Sequence, residues 1–144
     1  EDSGMNLKKK TLMMMLFLCS LSVYSHEELS EQIRLEKISY FSVGLNGFVG
    51  KESEGEYLYR LILQRDNAID IFYNIATSED ATNESKLYAA CALRNLGVKQ
   101  INEIFNKPQG GEAVVLTGDI LRRVDFKDKL FAIIKHGCDL NESK

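Results

Sequence analysis

Residues 84–97 read ESKLYAACALRNLG, and they leave little freedom in how the rest of the chain can be arranged. Leu87, Ala90, Cys91 and Leu93 recur on one side at helical spacing. Gly97 stands where a left-handed glycine commonly ends a helix. A helix with so apolar a side needs partners to cover it, so the flanking segments are read for what they can lay against it.

Upstream, Leu29, Ile33, Ile38 and Phe41 fall near helical spacing within residues 27–42. The segment SVGLNGFVG then carries Gly44, Gly47 and Gly50, and each glycine costs a helix about 1 kcal/mol against alanine. Ser53-Glu54-Gly55-Glu56 fits a capping box, with Ser53 as N-cap and Glu56 reaching back. It opens a helix with Leu58, Leu61 and Ile62 on one side, and Asp66 starts another with Ile69, Phe72 and Ile75. TSEDATNES is a polar break. Downstream, Val98 to Phe105 gives a short helix with Ile101, Ile104 and Phe105 inward, stopped by Pro108 and Gly110-Gly111. Asp125 caps a last helix that buries Phe126, Leu130, Ile133 and Ile134 and ends at Gly137. Ala113 to Leu116 is a short β-branched run, and one such run cannot make a sheet, so an extended link or a single turn is expected there. The fold class expected is all-α: a compact bundle of about five to six short antiparallel helices.

Residues 54–77 and 84–106 each read as helix, turn, helix, at a spacing of about 30 residues. KLYAACALRNLG resembles the second helix of HEAT-like repeats, in which small residues let helices approach closely. Together with Thr117-Gly118-Asp119 it also resembles a motif of small exported bacterial helical proteins of unknown function. The resemblance, over residues 54–137, implies HEAT-like helical hairpins and brings no catalytic residue with it.

The compartment is read from the start of the chain. Lys8 to Lys10 precede an apolar run, Thr11 to Val23, of about 13 residues, where a membrane span needs roughly 20. A positive start, a short apolar middle and small residues at its end have the layout of a signal peptide, with cleavage expected after Ser25. Residues 1–4 are set aside as an addition before Met5, residues 5–25 as the signal peptide, and residues 26–144 as a single helical domain. Acylation at Cys19 is the rival reading, disfavoured by Leu18 where that processing takes a small residue. The expected destination is the periplasm or the exterior, with no stable membrane insertion after cleavage.

Beyond Ser25 the chain has 15 basic and 19 acidic residues, a net charge of −4 with no basic run, which argues against nucleic acid as a partner. Cys91 and Cys138 remain. An even number of cysteines in an oxidising compartment points to a disulfide, and the competing reading makes Cys91 a small apolar core residue.

Catalytic chemistry finds little footing. The two histidines, His26 and His136, could form a copper site only if they met, and there is no CxxC or HExxH. His136 and Cys138 are two apart and would not share a helix face. The carboxylates sit mostly at caps or on solvated faces. Tyr40, Tyr57, Tyr59, Tyr73 and Tyr88 read as boundary residues with wet hydroxyls. No cofactor is expected. The function expected is binding of a protein partner rather than catalysis, with an immunity or inhibitor protein as a sharper alternative and a small-ligand carrier as a second. Candidate partner-binding residues are Phe41, Leu45, Phe48 and Val49 in the glycine segment, and Asp119, Arg122 and Arg123 in and after TGDIL.

Overall fold

The structure is a computed structural model, and it describes residues 26–27, 29–44, 50–107 and 110–138. The chain divides into two compact units, Glu1–Glu31 and Gln32–Lys144. In the first, residues 26, 27 and 29–31 are helical. The second runs through α1 (32–36), α2 (Glu54–Leu63), α3 (Ala68–Thr77), α4 (Asn83–Asn95), α5 (Ile101–Ile104), β1 (Glu112–Thr117), β2 (Ile120–Asp125) and α6 (Phe126–His136).

α4 is the axis of this unit. It is buried from Glu84 to Leu93 and packs against α2, α3, α5, α6 and β1. The expected single inner side is therefore corrected to burial all round. Ala89, Ala90, Cys91 and Ala92 are small enough for neighbours to close in from every direction, and all four are buried. Thr82 caps the helix by accepting the Ser85 N–H at 3.1 Å, and its own hydroxyl donates to the Ile38 carbonyl at 2.8 Å. One residue thus ends one segment and starts another.

The all-α expectation is corrected by β1 and β2, which form an antiparallel hairpin with Thr117 opposite Ile120. Two residues, Gly118 and Asp119, make the loop. Gly118 has φ +61°, and no described non-glycine residue has positive φ, which is the pattern of a type II′ turn with glycine first. The extended run at 113–116 is not alone because ILRRVD, although polar and exposed, is tied to it by that turn. The other edge of β1 is occupied too. The Phe41 N–H donates to the Val114 carbonyl at 2.8 Å, the Leu116 N–H donates to the Phe41 carbonyl at 2.9 Å, and the Val114 N–H donates to Glu84 Oε1 at 2.7 Å. β1 turns Ala113 and Val115 into the core and the alternate residues away from it.

At the start of α2, Ser53 Oγ accepts the Glu56 N–H at 3.1 Å, as a capping residue should. The Glu56 side chain is buried and does other work: its oxygens accept from the Gly44 N–H at 2.8 Å and from Arg60 at 2.7 Å. It holds the beginning of the glycine segment against α2. Tyr88 lies beneath, fully buried, with the Phe41 ring centroid 4.7 Å away. Its hydroxyl donates to the Ser42 carbonyl at 2.7 Å and accepts the Ser42 N–H at 3.0 Å, with Ser53 Oγ 3.3 Å away. The wet hydroxyl expected of Tyr88 is corrected to a dry one, and burial pushes its pKa up to about 12.

α6 closes this unit. Asp125 caps it by accepting the Asp128 N–H at 3.0 Å. Its far end is bound to α4: Cys91 and Cys138 form a disulfide with Cα atoms 5.7 Å apart, and Arg94 donates to the Ile134 carbonyl at 2.6 Å.

Candidate partner-binding surface

Hydrogen-bond directions in the hairpin decide which backbone groups are spent. Val114 and Leu116 direct theirs to Phe41 and Glu84, so Ala113, Val115 and Thr117 face β2. Their partners are Val124, Arg122 and Ile120. The peptide groups of Leu121 and Arg123 consequently point away from β1, along the free edge of β2. Among the described residues no third strand covers that edge.

Side chains along β2 are almost all exposed. Ile120 is 54 % exposed and Leu121 is 58 % exposed. Leu121 stands opposite half-buried Leu116, and Arg123 opposite half-buried Val114, so these four share the outer face of the hairpin. Arg123 faces Glu112 at 3.4 Å, both highly exposed, a pair worth little in stability. The Arg122 side chain makes no hydrogen bond or ion pair among the described residues. Asp119 sits in the turn, beside a cleft of about 430 Å³ that Tyr40, Lys51 and Leu116 also line.

The electrostatic setting is lopsided. Residues 120–138 hold five basic side chains against two acidic ones, whereas residues 26–119 hold nine basic against fifteen acidic. β2 and α6 thus carry an excess of positive charge within a negative chain, with acidic Glu112 and Asp119 on the same hairpin.

The sequence candidates separate on this framework. Asp119, Arg122 and Arg123 come together on the hairpin. Phe41 does not join them: it is 3 % exposed, packed under Tyr88 and hydrogen-bonded to β1, so it belongs to the core and is corrected as a surface candidate. Leu45, Phe48 and Val49 lie outside the described residues, as do Cys19 and the signal peptide. Cys91 and Cys138 meet at the end of α6, joined to each other. The sequence reading missed Leu116 as the partner of Leu121, and it missed the edge itself. The signal was present in Gly118-Asp119, a glycine-first pair between two runs of β-branched and apolar residues.

Two buried carboxylates of the second unit are committed elsewhere. Glu56 receives Gly44 and Arg60, and Glu84 receives Val114. Among the described residues no three His, Cys, Asp or Glu side chains are grouped to hold a metal ion. No described helix is long and apolar enough to cross a membrane. No protein-family model matches the chain, and neither a curated protein nor a solved structure matches it.

Proposed function

We propose that the protein is an exported binding module that docks an extended segment of a protein partner onto the free edge of β2 and catalyses no reaction. The observation that carries this reading is the combination, on one strand, of outward backbone groups at Leu121 and Arg123 with exposed Ile120 and Leu121. Backbone pairing supplies affinity in such strand addition, and alternate side chains supply selectivity. Export is supported by the lysine-rich, apolar start and by the Cys91–Cys138 bridge, which persists in oxidising compartments.

A photo-crosslinking residue in place of Leu121 tests the reading. In the producing cell it is expected to trap a discrete exported protein, while the same probe in place of exposed Tyr57 on α2 traps none. Equal trapping at both positions, or none at either, overturns the proposal.

An inhibitor or immunity role is the sharper second reading. It is favoured by the hairpin tip, where Ile120 and Leu121 stand exposed beside a two-residue turn in a shape suited to a cleft. In that case the trapped protein is a hydrolase or toxin, and its activity falls on stoichiometric addition of this chain.

A further inference from the structure

We infer that the segment received by β2 has a defined pattern: two acidic residues followed by two apolar ones, in an extended strand running antiparallel to β2. This rests on the strand-addition reading above and adds the identity of what is added. The order follows from β2 itself. A strand paired antiparallel to it meets Arg123, Arg122, Leu121 and Ile120 in turn along its own direction. Opposite-charge and apolar cross-strand pairs stabilise a ladder, so the complementary order is acid, acid, apolar, apolar.

The charge state of the two arginines supports an acidic occupant. The Arg122 side chain has no partner among the described residues, and that of Arg123 has only a long, solvent-exposed contact with Glu112. β2 and α6 carry a net excess of three positive charges, offset in part by Glu112 and Asp119 on the same hairpin, so the local pairs at Arg122 and Arg123 carry the preference. A second copy of the chain is a poor occupant. Outward groups must meet outward groups, so the two longest self-pairing registers centre on Arg122 or on Arg123. Each sets that arginine against its own copy, which is destabilising.

Fluorescence anisotropy with synthetic peptides tests the pattern on the intact protein. The probe is a fluorescein-labelled peptide with the core Glu-Glu-Ile-Val flanked by threonines. Three comparators are a Lys-Lys-Ile-Val peptide, a Gln-Gln-Ile-Val peptide and the Glu-Glu probe N-methylated at alternate residues. The acidic probe should bind about tenfold more tightly than the Gln-Gln peptide, from two cross-strand charge pairs. N-methylation should abolish binding. In R122E/R123E the preference should invert, with the Lys-Lys peptide now the tighter ligand, a gain that misfolding cannot produce. If the three unmethylated peptides bind alike and methylation abolishes binding, edge docking stands and the acidic pattern is overturned. If methylation leaves binding unchanged, or no peptide binds, strand addition itself is overturned.

Discussion

Gly55 has its place in α2 because of what stands beneath it. A Cβ there would lie 2.7 Å from Tyr88 Cε2 and 2.8 Å from its hydroxyl oxygen, closer than real contacts allow. In an exposed helix Gly→Ala stabilises by about 1 kcal/mol. Here the sign should reverse, with Gly55→Ala costing about 1–3 kcal/mol as an overpacked core does. Urea denaturation of the variant decides it, and a neutral or stabilising result would remove Tyr88 as the reason for the glycine. Tyr88 makes its own prediction. Burial, the largest influence, raises its pKa to about 12, against which its hydrogen bonds with Ser53 and Ser42 act. The folded state therefore holds the phenol proton more firmly than the unfolded chain, whose tyrosines titrate near 10. That contribution is fully present below pH 10 and is lost as pH rises through about 12. It corresponds to about 2–3 kcal/mol for a shift of this size. The urea midpoint of the native protein should fall more steeply between pH 10 and 12 than that of Tyr88→Phe, and parallel curves would rule the linkage out. Neither residue was legible in sequence. Tyr88 sits at a helical spacing that suits a boundary tyrosine as well as a core one. Only the arrival of Ser42 and Ser53, 46 and 35 residues away, makes its hydroxyl dry.

Elements whose signals are local were readable, and elements whose signals are split across the chain were not. Ser53 and Asp125 announce α2 and α6 because a cap and its helix are adjacent in sequence. The span and stop of α4 follow from its unbroken apolar run and Gly97. β2 was hidden because its residues are mostly exposed, leaving no apolar alternation to see, and because β1 draws its second edge from Phe41 and Glu84, far away in sequence. The end of α6 illustrates a long-range tie with a measurable size. The bridge between Cys91 and Cys138 spans 47 residues of sequence, and in the chain-entropy account a loop of that length stabilises by about 4 kcal/mol. Cys91→Ala/Cys138→Ala should lose stability of that order in urea unfolding. The loss should concentrate in α6, with faster amide exchange at Ile133 and Ile134 than in α2. Thiol labelling of both Cys91 and Cys138 in the native protein purified without reductant would show that no bridge exists to lose.

At the scale of the whole molecule, an open strand edge is a hazard as well as an opportunity. Outward backbone groups flanked by exposed Ile120 and Leu121 invite another copy of the same strand. Arg122 and Arg123 answer both demands at once. They oppose their own copies, because the registers that pair most of β2 set like charges against each other, and on the proposed reading they favour a strand of opposite charge. If so, solubility and selectivity rest on the same two side chains, and removing the charges should forfeit both together. The native protein is expected to sediment as a monomer at about 100 µM, whereas Arg122→Thr/Arg123→Thr, which keeps β-propensity and removes the charge, should form dimers or larger species at the same concentration. Raising the salt should push the native protein in the same direction, since exposed charges are screened over about a Debye length. A double variant that stays monomeric and still prefers acidic peptides would mean that the arginines do neither task. A variant that self-associates while retaining that preference would separate the two roles and place the selectivity elsewhere on β2 or α6.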